Sequence, residues 1–168
     1  MSKATLDTLL ARASIHDLHM RYFNAADCAD RDTVAACFTR DVVAQYEGRP
    51  IAQGRDALMT QIALFTNLEQ GICRISTHFA GNVLYRSLSR DRADTEINAF
   101  AYLVDAAGQA VAMRSLRYLD RLRLEDGEWK ICARRHTLDW ACDVPATFAR
   151  PFSQKATDLD AWLGGIPA

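Results

Sequence analysis

Residues 72–140 read ICRISTHFAGNVLYRSLSRDRADTEINAFAYLVDAAGQAVAMRSLRYLDRLRLEDGEWKICARRHTLDW, and their pattern decides the fold. Four extended segments fall in this stretch, at about 72–87, 93–104, 110–124 and 128–140. They are separated by SRDR, DAAG and EDG, all rich in residues that favour tight turns. Extended segments of this length joined by short turns form an antiparallel meander.

Upstream the periodicity changes. From Thr5 to about Asp27, Leu6, Leu9, Leu10, Ala13, Leu18, Tyr22 and Ala25 recur mostly at spacings of three and four, which predicts a helix burying one face. Asp30 or Asp32 can cap a short second helix carrying Val34, Cys37 and Phe38. A strand over Val42–Tyr46 follows, then the turn-rich EGRPIAQGRD and a third helix over about Arg55–Phe65. Helices first and a long meander second predict an α+β domain. So long a sheet curls, and the helices can close it into a cone around an internal pocket. Residues 1–142 form this domain. Residues 143–168 read as an extension with short helical candidates around Thr147 and Asp158–Leu163, packing on the pocket mouth or on a neighbouring subunit.

Composition narrows the function. The chain has 168 residues, 20 basic and 21 acidic, for a net charge of −1. That is enough for one domain with its own core, and no basic block points to nucleic acid. No window approaches the roughly 18 apolar residues that span a bilayer. The five cysteines lack zinc-like or CxxC spacing and read as buried free thiols in a reducing cytoplasm. With no phosphate loop, dinucleotide fingerprint, GxSxG elbow or metal motif, any enzyme here is expected to work without a cofactor.

Several residues could support chemistry. Strand alternation puts Ser76, His78, Ala80 and Asn82 on one side of their strand, so His78 shares its side with small residues that leave room for a ligand. A core histidine held by a hydrogen bond is the alternative. Asp27, at the end of the first helix after Ala25 and Ala26, is either a cap or a base facing a cavity. Tyr22 is a core aromatic whose hydroxyl needs a partner. Cys132, Arg134 and His136 share a side of the last strand, and a buried Arg134 requires an acid such as Glu96 or an anionic ligand. Glu96, Asn98, Phe100 and Tyr102 share a mixed polar and aromatic face that suits a pocket wall. His16 and His19 read as exposed or partly buried. Phe79, Val83, Ile97, Ala99 and Ala101 form an apolar outer face, for which a homo-oligomer, dimer or trimer, is the expected cover.

Three segments together resemble the SnoaL-like branch of the nuclear transport factor 2-like superfamily: IHDLHMRYFNAADCADRDTVAACFTRDVVAQYEG, THFAGNVLY and YLDRLRLEDGEWKICARRHTLDW. The resemblance covers roughly residues 5–142. Its landmarks are a Tyr five residues before an Asp, a Phe eleven after it, the THFAGN strand and the closing hairpin. It implies a cystatin-like α+β cone with a deep apolar pocket. Within the branch the chain looks most like cofactor-free lyases: lindane dehydrochlorinase, scytalone dehydratase and bile acid 7α-dehydratase.

By that resemblance Asp27 and His78 form a catalytic dyad, Tyr22 assists, and a final-strand arginine, Arg134 or Arg135, completes the set. On strand alternation Glu96, Asn98, Phe100 and His136 are the expected substrate contacts, with Glu96 a candidate for a further acid. The implied function is elimination or isomerisation on a small hydrophobic cyclic molecule by Asp–His acid–base catalysis. A non-catalytic ligand-binding or accessory module, and a polyketide-cyclase or hydroxylase-type relative, remain open on the same fold.

Overall fold

A computed structural model of the chain describes residues 5–146, together with Asp160 and Gly164. The expected helices of the C-terminal extension lie outside the described residues, apart from Asp160 and Gly164, both helical. Ten elements follow in order: α1 (Leu6–Asp27), α2 (Arg31–Ala36), β1 (Phe38–Gln45), β2 (Ala52–Gln53), α3 (Arg55–Met59), α4 (Ala63–Glu69), β3 (Cys73–Leu88), β4 (Arg92–Asp105), β5 (Ala110–Glu125) and β6 (Glu128–Pro145).

Local chemistry sets the helix ends. The Thr5 hydroxyl accepts from the Thr8 amide at 3.2 Å and caps α1. At the other end Ala29 adopts φ +57°, and the Asp30 amide reaches back to the Ala25 carbonyl at 2.9 Å. That left-handed residue turns the chain, a conformation glycine adopts more readily than alanine. Asp30 then caps α2 by accepting from the Thr33 amide at 3.0 Å. The expected third helix is two short ones. The Thr60 hydroxyl bonds back to the Ala57 carbonyl at 2.8 Å where α3 ends, and α4 begins after Ile62.

The sheet is mixed and open, in the order β2-β1-β6-β5-β4-β3. Its meander is antiparallel, and Asp126 and Gly127, both at positive φ, make the β5–β6 turn. The addition to the sequence reading is β1, which begins at Phe38 and runs parallel to β6, Phe38 opposite Ile131. The Ile131 amide bonds the Cys37 carbonyl at 2.9 Å and locks that crossing.

The core lies between the helices and one face of the sheet: Ile15, Leu18, Tyr22 and Phe23 of α1 meet Val34, Phe38, Leu58, Phe65, Leu122 and Ile131. Each large apolar side chain buried there contributes roughly 2 kcal/mol. The buried stripe of α1 begins only at Ile15. Leu6, Leu9 and Leu10 are exposed, and His19 is fully buried.

Two face assignments change. Ala93, Thr95, Ile97, Ala99 and Ala101 of β4 point inward, where helix and cavity need room, so Ile97, Ala99 and Ala101 leave the outer face. In β3 a register shift between Ala80 and Val83 reverses the alternation. Val83 therefore packs against the core, and Asn82 is exposed. All five cysteines are free, but only Cys37 and Cys73 are buried. Among the described residues no helix is long and apolar enough to cross a membrane.

Candidate functional site

Asp27 is the last residue of α1, at the negative end of that helix's dipole, where a carboxylate is locally disfavoured. Ser76 and His78 help hold it there. Its Oδ1 accepts from the Ser76 hydroxyl at 2.6 Å and meets the His78 ring at Nδ1 at 2.7 Å; its Oδ2 accepts from the His78 backbone amide at 2.7 Å. Both side chains are largely buried, Asp27 at 5% exposed and His78 at 10%. Burial raises the Asp27 pKa, but the hydrogen bond and charge of His78, with Ser76 and the backbone amide, outweigh it and bring the value down to about 2. Asp27 is therefore an anion at neutral pH. An anion at Oδ1 selects the tautomer with hydrogen on Nδ1, leaving Nε2 with its lone pair. That nitrogen has no hydrogen-bond partner among the described residues.

His78 packs against Phe23, ring centroids 5.7 Å apart, and lines a cavity of about 290 Å³. Ala26, Ile62, Leu64, Leu103, Leu116 and Leu138 supply apolar wall, while Tyr22, Tyr46, Tyr118 and His136 bring polar edges. Asp27 does not line this cavity. It stands behind His78, so Tyr22 and Asp27 serve one site without sharing a helix face. A larger surface groove of about 630 Å³ is lined by Asp27 itself, along with Arg21, Asn24, Asp30 and Arg74.

Arg134, not Arg135, turns inward, yet it stops short of the cavity wall. Its partner is Asp120 rather than Glu96: Nε and Nη2 donate to the two carboxylate oxygens at 2.8 and 2.7 Å, with both side chains fully buried. The guanidinium also lies over the rings of Tyr22 and Tyr118, at 4.2 and 4.8 Å. Its Nη1 donates to the Tyr46 hydroxyl at 3.4 Å, and that hydroxyl is 2.7 Å from the Tyr22 hydroxyl. Arg134 thus reaches the cavity through Tyr46. Burial, with the neighbouring Tyr46 phenol next, lifts the Tyr22 phenol well above its usual range, so it stays protonated.

His19 sits beneath this layer, with Nε2 at 3.3 Å from the Thr95 hydroxyl and Nδ1 at 3.7 Å from Asp120. Burial lowers its pKa to about 4 against the pull of Asp120, so near neutral pH the contact is not an ion pair. His136 lines the cavity, stacked on Tyr46 at 4.9 Å, and its Nδ1 accepts from the Glu47 amide at 3.4 Å. Burial, reinforced by Arg134, lowers its pKa to about 4.

Glu96, Asn98 and Phe100 are not at the cavity. They alternate with inward-facing residues of β4 and lie on the convex face of the sheet. There Glu96 is clamped between Arg86 and Arg117, and Phe100 packs against Trp140, centroids 5.9 Å apart. Sequence reasoning missed Ser76 as a partner of Asp27, and it missed Tyr46 and Asp120. Ser76 alone was on the correct face; nothing local marks the other two.

A mixed sheet packed on a long helix, with an apolar cavity whose wall includes an imidazole backed by a buried carboxylate, defines the class: an α+β pocket domain. The chain belongs to the SnoaL-like domain family, whose model matches residues 7–135. No curated protein matches it. Solved structures show the same fold. A scytalone dehydratase-like protein from Novosphingobium aromaticivorans aligns with a TM-score of 0.73 at 20% identity, over 82% of this chain and 90% of its own. The Type2 hexachlorocyclohexane dehydrochlorinase LinA aligns at 0.71 and 19% identity, over 91% and 100%. A Nostoc punctiforme protein with a cystatin-like fold aligns at 0.60 and 20% identity, over 82% and 96%.

Proposed function

We propose that this chain is a cofactor-independent lyase or isomerase for a small, largely hydrophobic cyclic molecule, with Asp27 and His78 as its acid–base pair. The observation behind this is the 2.7 Å contact between Asp27 Oδ1 and His78 Nδ1, made while the imidazole forms part of the wall of an apolar cavity. In the reaction His78 Nε2 takes a proton from a ring carbon. The C–H electron pair becomes a carbon–carbon double bond. A β-substituent, hydroxide or halide, leaves with its own bonding pair. Departing hydroxide takes a proton from the Tyr46–Tyr22 hydroxyl pair, which then recovers it from solvent, and the His78 imidazolium releases the proton it took to solvent. For isomerisation the proton on His78 returns at another carbon. Asp27 stabilises the imidazolium that forms, and such positioned proton transfer is worth roughly 10²–10⁴ in rate. Dehydratase and dehydrochlorinase relatives on the same fold are consistent with this chemistry.

Thermal-shift screening of cyclic alcohols, halides and enones, followed by product analysis of the hits, tests the reading. Loss of water or halide, or a migrated double bond, is the expected result. Hits that bind tightly and return unchanged, with no deuterium uptake from D₂O, would make the protein a binding module instead.

The same proposal includes assembly with copies of itself through the convex face. Phe79 on β3, Phe100 on β4 and Trp140 on β6 are exposed there, in register across Ser115 of β5. They flank the Arg86–Glu96–Arg117–Asp139 network, which carries both signs of charge and can meet a second copy without like-charge conflict.

A further inference from the structure

The rim of the cavity carries charge that elimination on a neutral ring would not use. Arg49 and Arg114 both line it. Arg114, on β5, is anchored through one nitrogen alone: Nη1 donates to the Met113 carbonyl at 3.0 Å, the Cys142 carbonyl at 3.2 Å and Asp143 Oδ1 at 2.9 Å. Its Nε and Nη2 have no partner among the described residues. Those two nitrogens form the edge of a guanidinium that grips a carboxylate with two parallel hydrogen bonds. The side chain is 28% exposed, so an ion pair there is less screened than at the open surface.

Arg49 is held by its loop. Its amide donates to the Tyr46 carbonyl at 3.0 Å, and its carbonyl accepts from the Gln45 carboxamide at 3.2 Å. Its guanidinium makes no ion pair among the described residues. The rim's acid, Glu47, is already placed 3.7 Å from Arg135, and Asp143 is taken by Arg114. Among the described residues, Arg49, Arg114 and Arg135 against Glu47 and Asp143 leave the mouth at +1.

We infer that the substrate is an apolar ring acid, its ring inside the cavity and its carboxylate at the mouth on the free edge of Arg114, with Arg49 beside it. A cavity near the lower end of the roughly 300–1,000 Å³ usual for ligand pockets accommodates one or two rings. Binding energy from this remote carboxylate would hold the reacting carbon against His78. The inference rests on the cavity being the substrate site, and concerns recognition rather than proton transfer.

Titration calorimetry with 2-naphthoate and its neutral isostere 2-naphthamide tests it, on wild-type, Arg114→Gln, Arg49→Gln and His78→Asn proteins. The acid is expected to bind wild type about tenfold tighter than the amide, in line with a charge-assisted pair. That preference should fall to about twofold in Arg114→Gln, weaken less in Arg49→Gln, and fade with added salt. Equal affinities in wild type, a preference surviving both arginine substitutions, or no binding by either probe would overturn it. If Arg114→Gln does not fold, Arg49→Gln and the wild-type salt dependence decide. Should His78→Asn keep both the acid preference and full turnover, the acid–base reading fails while this assignment stands.

Discussion

Asp27 and His78 are joined twice: the carboxylate meets the ring at Nδ1 at 2.7 Å and accepts from the backbone amide of the same residue at 2.7 Å. The second bond fixes strand β3 against the end of α1, so the ring cannot move from the acid without the strand moving too. Orientation is built into the backbone, which is how a scaffold holds a base in register with substrate.

That double bond separates two substitutions. Asp27→Ala strips acceptors from the Ser76 hydroxyl and the His78 amide, and should cost about 1–3 kcal/mol in urea unfolding as well as activity. Asp27→Asn keeps the shape and an acceptor but removes the charge that supports the imidazolium. It should lower kcat on any identified substrate by about 10²-fold with a smaller loss of stability. Wild-type kcat in Asp27→Asn would refute the dyad.

The Asp120–Arg134 pair is fully buried, so removing one partner leaves a lone charge in the core. Asp120→Ala should destabilise by about 3–5 kcal/mol, measured by denaturant melts. Asp120→Leu combined with Arg134→Met should regain much of that loss. If the pair matters for placing Tyr46, the double variant stays slow despite its recovered stability, and Tyr46→Phe should slow turnover without unfolding the protein.

Stability should fall on acidification in two windows. His19 and His136 have folded-state values near 4, below the ordinary 6.5, so the unfolded chain binds more protons between those limits. Stability therefore drops as pH falls from 6.5 towards 4, by up to about 1.4 kcal/mol per pH unit for each histidine. Asp27, depressed from 3.8 to about 2, adds a loss of the same sign in that lower window. Urea midpoints at pH 7, 5.5 and 4.5 check the first window, and His136→Phe should flatten part of it.

Ala29 occupies the left-handed turn after α1 at φ +57°. Ala29→Gly should relieve about 1 kcal/mol of strain and raise Tm, leaving the dyad in place. A lower Tm would mean that the added freedom of the unfolded chain outweighs the relief.

Assembly through the convex face predicts that the 18.8 kDa chain sediments as a dimer or larger. Phe100→Glu with Trp140→Ser should yield monomers. A monomeric wild type at tens of micromolar would refute the oligomer.

The meander was legible because each turn carries its own local chemistry, as Asp126 and Gly127 do. The parallel pairing of β1 with β6 was not, since it joins segments distant in sequence and nothing within Phe38–Gln45 names a partner. Alternation sorted His78 and Glu96 into faces, but it cannot say which face the helices cover. For β3 the face with His78 was right up to the shift after Ala80. For β4 the small residues, not the polar and aromatic ones, mark the inside. Asp27 and His78 could be paired through the family resemblance. Asp120 lies between Arg117 and Arg121 in sequence, with nothing local to mark it as buried, and its burial with Arg134 is set by packing.

Everything in the proposed reaction depends on His78 moving a proton to or from carbon. The most direct test is the rate of deuterium uptake from D₂O into a cavity-binding ligand with an acidic C–H, compared between wild type and His78→Asn with affinity measured on the same samples. Exchange is expected to fall by about 10²-fold or more in His78→Asn, with ligand affinity held. Exchange at the wild-type rate in His78→Asn would contradict it.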